Sequence, residues 1–450
     1  MNTPIYDFIE NYANSGTVRA HMPGHKGRSP AGCGFGEAFP YDITEIKGAD
    51  SLYEAGGIIA ESEKNAASLF GTAATFYSAG GSTLCIQAML TAVCGNRSCS
   101  SGMGRAFICG RNAHRSVMNS CVLLDLEPCW LYPDYEDGSV VSGKITAASV
   151  EKAIERYRDK APACVFITSP DYLGRLAPVA EIAEVCHKNG LPLLVDNAHG
   201  AYLAFLEENL HPIALGADMC CDSAHKTLPV LTGGAYLHVR EEKFVSEIKR
   251  DMALFGSTSP NYLIMESLDL CNRYLAGDFR AELAETVKLV SDFKERFAHL
   301  AVPDTEPLKV SFYSYPCGLR GYELAEQLRG NGVEVEYADE THAVLMFSAS
   351  STAEDFSKAA YAAERLMCPR ILLRPPQFAV PEAERAMSPR KAFFAPRETV
   401  SVENAAGRIA AESVAVCPPC IPIAAAGEVI DENIIKILKI YSIFHVNVVQ

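Results

Sequence analysis

Lys226 stands in Ser223-Ala224-His225-Lys226-Thr227, at the end of the apolar run ADMCCDS. A lysine held among apolar residues at a strand end loses hydration, which lowers its pKa and frees the amine to attack a carbonyl carbon. The competing reading is an ordinary solvated loop lysine. Asp196 follows LPLLV and opens Asp196-Asn197-Ala198-His199-Gly200. A lone carboxylate is costly to bury, so it calls for a cationic partner: a protonated ring nitrogen, a metal ion or an arginine. Gly80-Gly81-Ser82-Thr83 follows ATFYSA and opens a helix. Glycines let an anion approach the backbone, while free N–H groups and the helix dipole attract phosphate. Taken alone, such a turn is as often structural. Arg111-Asn112-Ala113-His114 follows RAFICG; a histidine there can act as a general acid, stack on a flat ring or simply sit at the surface.

The arrangement carries more than any member. A phosphate cradle, an acid and a lysine come in that chain order on strand ends of one expected sheet. They supply an anchor for a phosphate, a counter-charge for a ring nitrogen and an amine for an aldehyde, which is the set that pyridoxal 5'-phosphate (PLP) requires.

The elements that must position these groups alternate. From residue 58, a helix through ESEKNAASLF stops at Gly71, ATFYSA reads as a strand, and a helix runs from Ser82 to Cys94. RAFICG, ACVFITS, LPLLV, ADMCCDS and GAYLHV read as further strands, with a helix from Val179 to Asn189 closed by Gly190. Short apolar strands between helices predict an α/β fold with a mostly parallel sheet flanked by helices, whose ligands bind beyond the C-terminal strand ends. Before this region, residues 1–57 form an arm. Its first helix has Thr3 as cap, Pro4 in the first turn and Ile5, Phe8, Ile9 and Tyr12 on one face, expected to pack on a neighbouring subunit. The glycine- and proline-rich 16–57 stretch shows little periodicity. After the large 58–280 domain, KVSFYSY, VEVEYA and HAVLMFSA with two helices predict a smaller α/β domain over 281–370. A proline-rich lead then enters a C-terminal domain, 371–450.

A length of 450 residues fits such a multidomain plan, and 48% hydrophobic with 21% charged residues excludes a disordered chain. The net charge of −15 argues against nucleic acid and anionic membranes as partners. Cysteines such as Cys109, Cys164, Cys220 and Cys221 sit in apolar runs, where a free thiol acts as a small hydrophobe. With no signal-like N-terminus and no long uncharged apolar run, a cytoplasmic protein is expected. Two motifs take bland readings: Gly32-Cys33-Gly34-Phe35-Gly36 lacks the preceding strand of a dinucleotide fingerprint, and Cys417-Pro418-Pro419-Cys420 lacks a second ligand pair, so no metal is expected.

Beyond these local readings, the chain resembles the ornithine, lysine and arginine decarboxylases in their short bacterial form, a family of fold-type I, aminotransferase-like PLP enzymes. HMPGHKG at 21–27, DITEIKGADSLYEAGG at 42–57, FYSAGGST at 76–83, RNAHRS at 111–116, DNAHGAY at 196–202, SAHKTLPVLTGG at 223–234, GSTSPNYLIMESLD at 256–269, PRKAFFAPRE and PPCIPIAAAGE carry the resemblance in the family's order. It implies a seven-stranded-type sheet, PLP on Lys226, and Asp196 on the pyridine nitrogen. It further implies His114 stacked on the ring with Ala198 opposite, and Gly81, Ser82, Thr83, His199, Ser223 and His225 among the cofactor contacts. Ser257 or Thr258 would reach a neighbouring subunit's phosphate in a homodimer with interfacial sites, or a higher oligomer. Glu336 would face a basic substrate. Asn197 and Tyr202 depart from the Glu and His of many relatives, TSPDYLG from TSPTYDG, and Cys420 replaces a glycine, so the substrate side chain stays open.

The implied reaction is decarboxylation of an amino acid, with reprotonation of Cα by His225 or Lys226, in the service of polyamine biosynthesis. Transamination, aldol cleavage and β-elimination run on the same scaffold, because substrate orientation decides which bond breaks. An inactive regulatory homologue is the reading from a different class.

Overall fold

Runs of β-branched and aliphatic residues between amphipathic stretches build this fold. The computed structural model describes it over residues 1–95, 105–135, 139–141, 143–368, 373–376, 380–416 and 421–450. The architecture is mixed α/β with a mostly parallel central sheet, as expected. The chain passes twice through each of two compact units, Met1–Ala92 with Leu194–Leu283, and Val93–Leu193 with Ala284–Gln450.

In the first unit the strands lie in the order Ala74–Ser78, Ala235–Val239, Met219–Asp222, Leu193–Asp196. Leu193–Asp196 and Met219–Asp222 run parallel, with Asp196 opposite Cys221. Ala235–Val239 returns antiparallel to both of its neighbours. The cradle strand and the lysine strand are therefore not adjacent: the returning strand separates them. Helix Ile58–Phe70 ends at Gly71, whose φ of 67° is left-handed. Helix Gly81–Leu90 is shorter than expected, because the chain goes over to a π-helical turn at Thr91–Gly95.

The N-terminal helix forms at Pro4–Asn14, but one expectation about it needs correction. Thr3 does not cap it through its side chain; its hydroxyl donates to Asp7 at 2.8 Å. The open N–H groups of Ile5 and Tyr6 donate instead to Asp269 Oδ2, at 2.9 and 3.0 Å. Half of the apolar stripe is also taken up within the chain, while Phe8 and Tyr12 stay half-buried. Ile5 and Ile9 are fully buried within the chain, against helices Ile58–Phe70 and Tyr262–Leu275.

In the second unit Val165–Thr168, Ala106–Gly110 and Glu127–Leu131 run parallel, with Ala106–Gly110 between the other two. The Glu127–Leu131 strand escapes a pattern search because EPCWL has neither alternation nor a β-branched run. An antiparallel sheet of Lys309–Tyr313, His342–Met346 and Tyr337–Ala338 follows, so the expected VEVEYA strand shrinks to its last two residues. Val344 and Tyr337 of this sheet share one buried cluster with Val402, Ile423, Ile434, Leu438 and Val448. The apolar tail is an amphipathic helix, Glu432–Ile440, with Ile434, Ile435, Ile437 and Leu438 buried and Lys436 and Lys439 outward. Among the described residues, no helix is long and apolar enough to cross a membrane. The Cys417–Cys420 motif lies outside the described residues.

Candidate active site

Met219–Asp222 delivers the chain into Ser223 and one helical turn, Ala224–Thr227, closed by the Lys226 N–H on Ser223 O at 2.9 Å. The Lys226 Nζ lies 3.0 Å from His199 Nε2. Asp196 is itself the last strand residue and is buried. Its Oδ1 accepts the Ala198 N–H at 3.1 Å and the Cys221 thiol at 3.8 Å. Burial pushes the Asp196 carboxyl up, and the positive charge of Lys226 is the foremost influence opposing it. The two groups thus feel each other across neighbouring parallel strands.

The cradle is stitched to the lysine turn by the start of the returning strand. Gly81 N–H donates to Gly233 O at 2.8 Å, and the next carbonyl, Gly234 O, takes both the backbone N–H of His225 at 3.3 Å and its Nδ1 at 3.1 Å. Gly234 must be glycine because a Cβ would sit 2.3 Å from Val230 Cγ1. At the helix start Gly81 has φ +68°, and a Cβ built on it would meet nothing within 4 Å, so the backbone there faces open space. The Ser223 hydroxyl donates to Ser82 Oγ at 2.9 Å, joining lysine turn and helix N-terminus. The first-turn N–H groups beyond Gly81, two adjoining hydroxyls and open space make a donor set suited to a phosphate.

A cavity of about 360 Å³ opens beside the cradle, lined by Gly80, Thr83, Gln87, Tyr53, Gly256 and Ser257 among others. Ser257 and Thr83 of one chain therefore share a cavity; Thr258 is exposed nearby and Ser257 Oγ accepts the Ser259 N–H at 3.1 Å. At Gly256 a Cβ would fall 1.8 Å from the Tyr53 hydroxyl, so any side chain there would displace the Tyr53 ring from the cavity wall.

His114 and Glu336 belong to the second unit. His114 caps helix Arg115–Leu124: its Nδ1 accepts the Ser116 N–H at 3.2 Å and lies 2.9 Å from Ser116 Oγ. An accepting Nδ1 makes the ring neutral with the proton on Nε2. Glu336 Oε1 accepts the Tyr172 hydroxyl at 2.9 Å. The sequence-predicted residues that come together are therefore Asp196, Ala198, His199, Ser223, His225 and Lys226 with Gly81, Ser82 and Thr83.

Two buried polar systems escaped the sequence reading. In the first unit Asp222 Oδ2 accepts from His211 Nε2 at 3.0 Å and His238 Nε2 at 3.1 Å, while Oδ1 accepts from Asn197 Nδ2 at 2.7 Å. The two histidines hold the Asp222 carboxyl well below the usual range despite its burial. In the second unit Arg111 donates to Glu428 Oε2 at 2.9 Å and to the carbonyls of Pro422 and Ile423. Trp130 Nε1 donates to Glu428 Oε1 at 2.7 Å. Partners so distant in sequence leave no local signal.

A mostly parallel α/β sheet whose strand ends bring together a lysine, a buried acid and an anion-ready helix start defines a class, the fold-type I PLP-dependent enzymes. Comparison with known proteins narrows the class. The chain matches the Orn/Lys/Arg decarboxylase major domain over residues 3–311 and the Orn/Lys/Arg decarboxylase C-terminal domain over residues 376–447. It belongs to the Orn/Lys/Arg decarboxylase family and is an amino acid decarboxylase of the PLP-dependent kind. It is 31% identical to an arginine decarboxylase of Bacillus subtilis, with 97% of this chain and 93% of that protein covered. It is likewise 31% identical to an arginine decarboxylase of Halalkalibacterium halodurans, over 96% of this chain and 91% of the other. Its fold is that of the lysine decarboxylase LdcF of Francisella novicida, with a TM-score of 0.83 at 18% identity, covering all of this chain and 81% of that one.

Proposed function

We propose that the chain decarboxylates a basic L-amino acid, arginine before lysine or ornithine, to the corresponding amine and CO2, with PLP held on Lys226. The observation that carries this is the placement of buried Asp196 at the end of one strand and Lys226 just after its parallel neighbour. Lys226 Nζ lies 3.0 Å from His199 of the Asp196 turn, and Ser223 is joined to Ser82 at an anion-ready helix start. Arginine comes first because two relatives at 31% identity, matched over nearly their whole length, bear that name, whereas one named lysine decarboxylase aligns over 66% of this chain at 22%.

When bound, PLP supplies an aldehyde and a cationic ring that takes up the electron pair left as the Cα–carboxylate bond breaks. The residues have distinct work. Ser82, Thr83, Ser223 and the helix N–H groups hold the phosphate. Asp196 keeps a proton on the ring nitrogen, a task that suits a buried carboxylate with no room for bulk water. His114 and Ala198 would hold the ring, and His199 holds Lys226 from the side. Lys226 or His225 returns the proton to Cα; His225 is aimed for this by the fixed Gly234 carbonyl on its Nδ1. Glu336 faces the cationic end of the substrate, and Ser257 or Thr258 the phosphate of a second copy in a cytoplasmic homodimer that feeds polyamine synthesis. The four-part division at residues 57, 280 and 370 belongs to the same reading.

The test is to incubate purified holoenzyme with arginine, lysine and ornithine separately and measure CO2 and amine. Agmatine and CO2 from arginine, without any amino acceptor, is the expected outcome. A keto acid formed only when an acceptor is added would overturn the proposal in favour of transamination.

A further inference from the structure

Asp222 is a buried anion one residue before the lysine turn, and nothing in the proposed reaction uses it. Its two oxygens divide their partners: Oδ2 takes both imidazoles, while Oδ1 takes the Asn197 amide. The imidazoles are themselves fixed from behind. His238 Nδ1 lies 2.8 Å from Thr75 Oγ1, on the strand that leads into the cradle, and His211 Nδ1 takes the Ile213 N–H at 3.4 Å. Both rings are then Nε2–H donors, so one carboxylate oxygen satisfies both. Although His211, Cys220 and Asp222 are close enough to suggest a metal ion, a metal would need the His211 Nε2 bare, and its hydrogen bond to Asp222 Oδ2 already accounts for that nitrogen.

Asn197 follows Asp196 directly. Its own N–H donates to Cys221 O at 3.0 Å, and its side chain packs so closely on Gly200 that a Cβ there would lie 2.0 Å from Asn197 Oδ1. The Asp196–Gly200 turn is therefore clamped by Asn197 at both backbone and side chain, and the side-chain half of the clamp is Asp222. Asp222 is also covalently followed by Ser223, which touches Ser82, and by the Lys226 turn. Asp222 thus touches, directly or through one partner, the acid's turn, the lysine's turn and the cradle strand.

We propose that Asp222 is a positioning residue for the cofactor site: one buried anion that sets the acid turn, through Asn197, in register with the lysine turn. This chain has a neutral amide at position 197 and the anion on the neighbouring strand. The proposal rests on the PLP reading above and sharpens it by giving Asn197 a physical purpose.

The pair can be swapped. In Asp222→Asn the new amide still accepts from the histidines, but in the parent's orientation of Asn197 its NH2 meets the Asn197 NH2, donor against donor, and relief requires the Asn197 amide to turn over against Gly200. In Asn197→Asp two carboxylates face each other. When Asn197→Asp and Asp222→Asn are combined, the amide introduced at position 222 donates through its NH2 to the carboxylate introduced at position 197. The oxygen of that same amide still accepts from the histidines, so every bond is restored with its direction across the pair reversed. The measurements are PLP affinity, by absorbance titration of apoenzyme, and kcat and KM on arginine with CO2 detection. Each single change is expected to weaken PLP binding and lower kcat by ~10-fold or more, on the scale seen when outer-shell partners are removed, with KM moving less than kcat. The double change should return both to within about threefold of the parent, a recovery a merely structural carboxylate would not give. Asn197→Ala, which deletes the link and leaves Asp222 with its histidines, is the control should a charged single variant fail to fold, and it should show the same loss of PLP affinity. Parent-like PLP affinity and kcat in Asn197→Ala or Asp222→Asn, or a folded double variant no better than the worse single one, would overturn the proposal. The PLP reading is tested separately: it fails if Lys226→Ala still turns over, whatever the Asp222 variants do.

Discussion

The two buried carboxylates Asp196 and Glu428 sit in similar seclusion yet serve different ends. Glu428, in the second unit, is answered completely within the chain: Arg111 at 2.9 Å, Trp130 at 2.7 Å and the Ala425 N–H at 2.7 Å all donate to it. Its arginine also lies over the Trp130 ring at 4.7 Å and donates to two carbonyls of the C-terminal segment. Asp196, in the first unit, is answered by one backbone N–H, a thiol at 3.8 Å and the charge of Lys226, and burial still pushes its carboxyl up. A fully answered charge reports on the fold; an under-answered one reports on a ligand that completes it. The Arg111–Glu428 clamp accordingly fastens the C-terminal segment to the strand end that carries the His114 motif, whereas Asp196 is where the proposed function puts a cationic ring.

The contrast can be challenged at several strengths. The largest effect is expected from Lys226→Ala, which abolishes turnover and the yellow colour with PLP, checked by absorbance and CO2 release. Asp196→Asn should retain some PLP but lose ~10²–10³-fold in kcat, since electrostatic preorganisation supplies the largest catalytic contribution; kinetics on arginine decides. Glu428→Ala leaves Arg111 buried without its carboxylate and should destabilise by about 3–5 kcal/mol, read as a lower midpoint in urea, while PLP affinity of the folded fraction changes little. If Glu428→Ala instead lost PLP with stability intact, the division between fold and ligand charges would fail. The smallest effect concerns Glu266, which is buried with Oε1 lacking a hydrogen-bond partner among the described residues and is pushed up to about 8, first by burial and then by Asp42 and Asp269. A carboxyl raised in the folded state loses stability as pH rises from its unfolded value of 4.5 through about 8. Glu266→Gln should therefore flatten the decline in thermal midpoint between about pH 5 and 9, and an unchanged slope would count against that burial.

Much of the fold and site was legible in the residues. LPLLV before Asp196, ADMCCDS leading to Lys226 and ATFYSA before the cradle announce strands by their apolar runs, and the polar residues behind them announce a site. Chain order does not give strand order: the cradle strand, first in the sequence, lies at the sheet edge and is separated from the lysine strand by the returning Ala235–Val239, which follows the lysine strand in the chain. Thr3 misled in another way, since the acceptor for the first helical N–H groups came from Asp269, near the far end of the first unit. The Asp222 and Glu428 systems were silent for the same reason. Their partners are assembled by the fold from separate strands, and a pattern confined to neighbours in sequence has no access to them.

A covalent bond between one amine and the cofactor is central to this reading of the chain. Reducing the PLP-loaded protein with borohydride and mapping its peptides by mass spectrometry tests it directly. A phosphopyridoxyl group is expected on the peptide containing Lys226 and nowhere else. A modified lysine elsewhere, or none, would contradict it.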